Sequence, residues 1–332
     1  MTIIHSRRDF LASASLAAAA SVFGTRRSLA DEPPPETTTI RLGRFFVGIC
    51  SAPFYLAEAM LRAEGFTDIR LVPKPPLDIT ARGEADFDIE AAPWLVAQLA
   101  AGGQTTMLAG IHPGCFELFA YEPIRTISDL RGKRFGIPAF GSAPHLLLAV
   151  MAAHVGLDPK KDIDWIVSPT GYSLEMFANR EVDAFLGFPP EPQDLRARGL
   201  GRAILNMATD PPWSDYFCCI VFGNREFVRE HPIATKRVLR AVLKTTNLCI
   251  DQPKLVARQL VEVGLTKRYD YALEALTELP YASWREFDPE DTVRFFALRL
   301  HEVGMIKSTP NALIAEGTDW RFLNELKREL KA

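Results

Sequence analysis

Two Ser-Ala-Pro turns hold the most suggestive chemistry of this chain. Ser51-Ala52-Pro53-Phe54-Tyr55-Leu56-Ala57, followed by Met60 and Gly65, recurs as Ser142-Ala143-Pro144-His145-Leu146-Leu147-Leu148, followed by Met151 and Gly156, at a constant offset of 91 residues. In such a turn the serine hydroxyl is expected to cap a helix, with proline in the first turn, where no intrahelical N–H is lost. Free backbone N–H groups and the positive end of the helix dipole then point past the preceding strand, where open α/β sheets bind ligands. Taken singly, each serine reads as a plain helix cap. As a pair in equivalent positions, they read as two sides of one cleft for an anionic group.

Further candidates cluster around these turns. Cys50, Ser51 and Phe54 open the first, and Phe140, Gly141, Ser142 and His145 open the second. His145 would meet an anion as imidazolium or pack neutral. Ala92 and Trp94 follow a strand over residues 86–90, and Phe188 and Glu191 follow one over 183–187. Tyr172 caps the cleft or packs in a loop. Trp94, Phe140, Tyr172 and Phe188 would supply flat apolar walls, which suit an organic body better than nitrate or bicarbonate. Glu191 reads as an amine partner or as a solvated carboxylate; buried and unpaired, it would repel an anion. The expected ligand is a small carboxylate, sulfonate or zwitterion with an organic, aromatic or amino-bearing body.

Other chemistries find less support. The chain has no G-x-S-x-G, H-E-x-x-H or G-x-G-x-x-G pattern, so no catalytic residue and no cofactor is expected. Of the five cysteines, Cys218 and Cys219 sit inside the apolar run Tyr216-Phe217-Cys218-Cys219-Ile220-Val221-Phe222 and read as buried strand residues. His112 and Cys115 have ligand-like spacing but no second pair nearby in sequence, so no metal site is expected.

Such residues need a frame, and composition bounds it. With 332 residues, 48% hydrophobic and 24% charged, the chain has the balance of a globular protein of about two domains. A formal charge of −3 argues against nucleic acid as a partner. Strand-like and helix-like segments alternate, which implies an α/β fold. The repeat extends downstream: Ala81-Arg82-Gly83-Glu84-Ala85-Asp86-Phe87 parallels Ala178-Asn179-Arg180-Glu181-Val182-Asp183-Ala184-Phe185. Two similar α/β lobes are therefore expected, each a mixed sheet flanked by helices, with a helical C-terminal region. The boundaries read as a linker over residues 31–39, the first lobe over 40–122 and again over 213–332, and the second lobe over 123–212. Hinges are expected near 121–124 and 212–216.

Residues 1–30 read as an export signal. Ser6-Arg7-Arg8-Asp9-Phe10-Leu11, an alanine-rich apolar stretch, and Ser28-Leu29-Ala30 before Asp31 fit a twin-arginine signal peptide cleaved near Ala30. Cleavage would take the formal charge from −3 to −6. The periplasm is the expected destination.

Several of these segments together resemble a known family. Ala52-Pro53-Phe54-Tyr55-Leu56-Ala57, Gly83-Glu84-Ala85-Asp86, Ile127-Ser128-Asp129-Leu130-Arg131-Gly132-Lys133, Gly141-Ser142 and Glu181-Val182-Asp183-Ala184 are similar to the nitrate, taurine and aliphatic-sulfonate family of periplasmic solute-binding proteins. The resemblance covers nearly all of the mature chain. It implies a type II periplasmic-binding-protein fold, whose two lobes close on a ligand, and delivery of that ligand to the membrane permease of an ABC importer. A monomer is expected. One departure is the acid-bearing loop Phe188-Pro189-Pro190-Glu191, which does not suit a simple sulfonate pocket. Pyrimidine-precursor synthases of thiamine biosynthesis share the implied fold and also carry neighbouring cysteines. An exported or fold-related enzyme is therefore the alternative, although Cys218-Cys219 is shorter than their cysteine-rich motif.

Overall fold

The computed structural model describes residues 32–44, 48–73, 79–169 and 173–330. The expected signal peptide and Tyr172 lie outside the described residues. The strands are β1 (Thr39–Arg44), β2 (Asp68–Pro73), β3 (Phe87–Ala91), β4 (Thr105–Pro113), β5 (Glu117–Ala120), β6 (Lys133–Ile137), β7 (Ile163–Val167), β8 (Ala184–Gly187), β9 (Arg202–Asn206) and β10 (Phe217–Asn224). They form two five-stranded sheets, ordered β2-β1-β3-β10-β4 and β7-β6-β8-β5-β9. In each, the fourth strand runs antiparallel to its neighbours. The sheets are mixed and flanked by helices, and β3, β4, β5 and β8 are buried at every position. Strands covered on both faces bury polar positions too, here Asp88, Glu90 and Glu117.

The internal repeat is visible residue by residue. The Arg41 backbone on β1 is bonded twice to Asp86, just before β3: the Asp86 Oδ2 carboxylate oxygen accepts the Arg41 N–H at 2.6 Å, and the Asp86 N–H donates to the Arg41 carbonyl at 2.7 Å. Arg134 on β6 and Asp183 before β8 repeat the arrangement at 2.9 and 2.8 Å. The turn three residues before each aspartate is left-handed, with φ of 74° at Gly83 and 60° at Arg180. Glycine adopts this at little cost, whereas arginine at the same place carries strain. Identical fold demands at both sites explain why the second lobe tolerates it.

The lobe boundary differs from the expected one. Residues 117–120, assigned to the first lobe by a boundary at 122, pair with β8 and β9 in the second sheet. The chain therefore crosses at residues 114–116 rather than 121–124, and returns through 207–216 into β10. Gly114 marks the first crossing, because a Cβ there would run into the Met207 carbonyl of the second. The two crossovers thus lie backbone against backbone.

A helical C-terminal region backs the first sheet. Helix Pro232–Asp251 packs its apolar side inward, and its Arg240 gathers Glu64, Glu32 and Glu329. That cluster ties the N-terminal segment, helix Glu58–Ala63 and the last helix, Arg321–Glu329, to one core. Among the described residues, no helix is long and apolar enough to cross a membrane.

Candidate functional site

Helices begin at the ends of the strands that face the crevice between the sheets, and the two lobes contribute them in matching pairs. After β1 comes helix Ala52–Tyr55, and after β6 helix Ala143–His154; after β3 comes Ala92–Ala100, and after β8 Glu191–Arg198. Each carries proline in its first turn, and no side-chain cap reaches any of the four among the described residues. Ser51 and Ser142 therefore do not cap as expected. In both turns proline stands at the second helical position, removing a donor that an N-cap hydroxyl normally meets. The Ser142 hydroxyl donates instead to the Ala139 carbonyl at 2.6 Å. Ser51 continues a 3-10 turn, Ile49–Ser51, into the helix, and its hydroxyl is buried without a partner among the described residues. The first helix is only four residues long, so its dipole is weaker than the expected symmetric pair implied.

The remaining candidates divide by exposure. Cys50, Phe54, Ala92 and Trp94 are buried in the first lobe. Phe140 is 63% exposed at the tip of its turn, and Gly141 beside it has a φ of 80°. His145 packs edge-on to Phe140 and Trp165, and its Nδ1 accepts the Gly141 N–H at 3.0 Å. Burial lowers its pKa, so the imidazolium alternative gives way to a neutral ring with structural work. Phe188 stacks edge-on to Phe116 at 5.5 Å. Its N–H donates to Glu191 Oε2 at 3.1 Å, and burial pushes the Glu191 carboxyl up to about 8. At neutral pH this carboxyl keeps its proton, which removes the expected repulsion of an anion.

The lobes meet across the crevice. The Ile49 N–H donates to the Pro189 carbonyl at 3.1 Å. Arg196, on the helix begun by Glu191, binds Glu117 of its own lobe at 2.7 Å and Glu274 and Glu278 of the other at 2.8 and 3.1 Å. Cys115, Glu117, Pro189 and Leu279 line a small crevice beside this latch.

Sequence reading missed two groups here. Tyr55, one residue past Phe54, has a buried hydroxyl without a partner among the described residues, and burial together with Asp88 and Glu90 raises its pKa well above the usual range. The second group is a set of buried ligand-type side chains. Cys50, His112, Cys115 and Cys219 place one ligand atom each within 4.8 Å of one another. The second pair that His112 and Cys115 lacked in sequence comes from β10 and from the turn after β1, joined only by the fold.

The comparisons bear on the fold. A protein of Brucella abortus (strain 2308), whose name describes it as a binding protein, is 26% identical over 181 residues, 53% of this chain and 54% of that one. The chain thus spans about half the length of the curated relatives it matches. The periplasmic nitrate-binding protein NrtA from Synechocystis PCC 6803 superposes with a TM-score of 0.76 at 16% identity, covering 90% of each chain. The alkanesulfonate-binding protein SsuA from Xanthomonas axonopodis pv. citri, bound to MOPS, gives 0.70 at 18% identity, covering 86% of this chain and 99% of that one. The fold is that of the periplasmic binding proteins. The family model described as NMT1/THI5 like matches residues 67–255, and the chain belongs to that family.

Proposed function

We propose that this chain is an exported solute-binding protein that captures a small organic anion or zwitterion between its lobes and passes it to the permease of an ABC importer. The carrying observation is the matched set of uncapped helix starts at the crevice-facing strand ends of two sheets of the same order. Unpaired first-turn N–H groups favour negative charge. In this reading the chain is a monomeric carrier, not an enzyme. Ser51, Tyr55, Ser142, Phe188 and Glu191 are the proposed contacts, with Trp94 behind them and Phe140 at the rim.

Glu191 supplies the test. With its carboxyl at about 8, it is a hydrogen-bond donor at pH 7 and adds no negative charge. An anion prefers the protonated form, so its affinity should fall as pH rises through about 8. An amine-bearing ligand should show the opposite slope, because the carboxylate pairs with it. Calorimetry at about pH 6.5 and pH 9 with simple sulfonates and amino-sulfonates reads both signs, and Glu191→Gln should flatten both. Slopes unchanged in that variant would remove Glu191 from the site.

Export is proposed to follow the twin-arginine route. Arg7→Lys with Arg8→Lys is expected to stop periplasmic accumulation, measured by fractionation of cells expressing the full chain. Normal accumulation of the double variant would assign the signal to the general secretory route.

A further inference from the structure

The thiols beneath the crevice form a site that the solute-binding reading does not use. Cys50 comes from the turn after β1, His112 from the end of β4, Cys115 from the first crossover and Cys219 from β10, where it is the register partner of His112. All four are buried, with Cys115 the most exposed at 4%. His112 Nδ1 lies 2.9 Å from the Pro113 carbonyl. A proton held there leaves Nε2 as the lone-pair nitrogen, and among the described residues the buried Nε2 has no hydrogen bond of normal geometry, only the Cys50 thiol beside it. A buried acceptor left unmet is costly, and a carbonyl bond at the opposite nitrogen is how metal-binding histidines are usually oriented.

We propose that Cys50, His112, Cys115 and Cys219 form a closed tetrahedral site for a zinc-type divalent cation where the turn after β1, the end of β4, the first crossover and β10 meet. Thiolates bound at about 2.3 Å in a tetrahedron stand roughly 3.8 Å apart. The present spacing, within 4.8 Å, needs a contraction of about 1 Å or less to reach that geometry. Charge selects the cation's valence: three thiolates around a divalent ion leave a net −1, whereas a monovalent ion leaves −2 in a buried place, which is costlier. Binding displaces the three thiol protons to solvent. Outer partners are already in place. Cys218 Sγ is 3.2 Å from Cys115 Sγ, the Tyr281 hydroxyl donates to the Cys50 carbonyl at 3.0 Å, and the Tyr281 ring stands edge-on to His112.

The site would tie the turn that opens the first helix to the first crossover and to β10, so it would brace one of the two connections between the lobes. The test uses the full chain, reduced and stripped with a chelator, then titrated with Zn²⁺ alone against a chromophoric competitor. One zinc per chain is expected, and Co²⁺ in its place should give intense tetrahedral absorption with a thiolate charge-transfer band. Cys219→Ala and His112→Gln should each weaken zinc by more than the roughly 100-fold upper range for losing an outer-shell partner, while Cys249→Ala leaves it unchanged. The cobalt spectrum needs no variant, so a misfolded mutant does not blunt the test. The proposal is overturned by zinc held no more tightly than by the chelator-stripped Cys219→Ala chain, by a cobalt spectrum without sulfur charge transfer, or by a Cys115–Cys218 disulfide as the resting state of the freshly isolated chain. Binding of Cu⁺ with no Zn²⁺ uptake would also overturn it.

Discussion

Arg240→Ala is expected to lower the unfolding free energy by about 3 to 5 kcal/mol, read as a shift in urea midpoint at constant m-value. The Arg240 side chain is 9% exposed and reaches Glu64 at 2.8 Å, Glu32 at 2.9 Å and Glu329 at 3.1 Å. Glu64 is fully buried, with Lys244 as its other cation at 2.7 Å. Removing the guanidinium leaves a buried carboxylate half-compensated, and most of the cost is its desolvation rather than the lost bonds. Replacing both partners, Arg240→Met with Glu64→Leu, should therefore cost less than Arg240→Ala alone. The network also has an acid limb. Burial pushes Glu32 up, but hydrogen bonding and charge from Arg240 outweigh it and hold the carboxyl below its usual range. A depressed carboxyl contributes stability above its unfolded pKa, near 4.5, and that share is lost as pH falls below it.

Trp284→Ala should cost a similar amount, about 3 to 5 kcal/mol by thermal or urea unfolding. Trp284 is fully buried in the 3-10 turn Tyr281–Arg285, which packs on β4, and its Nε1 donates to Asn247 Oδ1 at 3.1 Å. The indole is too large for its surroundings to fill after truncation. Tyr281, three residues earlier, touches Cys50 and His112, so the same variant should loosen the thiol cluster. Trp284→Phe keeps most of the volume, and Arg285 still meets the Asn247 oxygen at 2.5 Å. It should recover more than half of the loss, and failure to do so would move the effect from packing to the Nε1 bond.

What the sequence made legible follows from what a repeat can reveal. The repeated segments around Gly83 and Arg180, and the paired Gly65 and Gly156, were readable as matches, and the structure places all four at positive φ, of 74°, 60°, 104° and 82°. Each is set by contacts within one lobe. The exchange of strands between lobes was not readable. Residues 105–120 form one long buried stretch, and the change of sheet shows only in the fold, in the pairing of residues 117–120 with β8 and β9 and in the Gly114 contact with Met207. The expectation of serine caps missed because proline at the second helical position removes one of the two donors a cap can meet, and the Ser142 hydroxyl turns to the Ala139 carbonyl instead. The cysteines misled for a topological reason. Cys50 is more than sixty positions from Cys115, and Cys219 more than a hundred, so no local spacing announces the cluster.

Ser142→Asp tests the solute-binding reading most directly. The Ser142 hydroxyl is solvent-accessible and an aspartate there stands at the positive end of helix Ala143–His154, so stability should stay within about 1 kcal/mol of the unaltered chain. The same carboxylate would stand where the ligand's acid group is proposed to sit, and two like charges at contact distance repel by about 1 kcal/mol or more even when well screened. Calorimetry of both chains against small carboxylates, sulfonates and amino-sulfonates should find one ligand per unaltered chain and at least ~10-fold weaker binding in the variant, the equivalent of about 1.4 kcal/mol. Equal affinity in a stably folded Ser142→Asp chain would contradict an anion held at the interlobe helix starts.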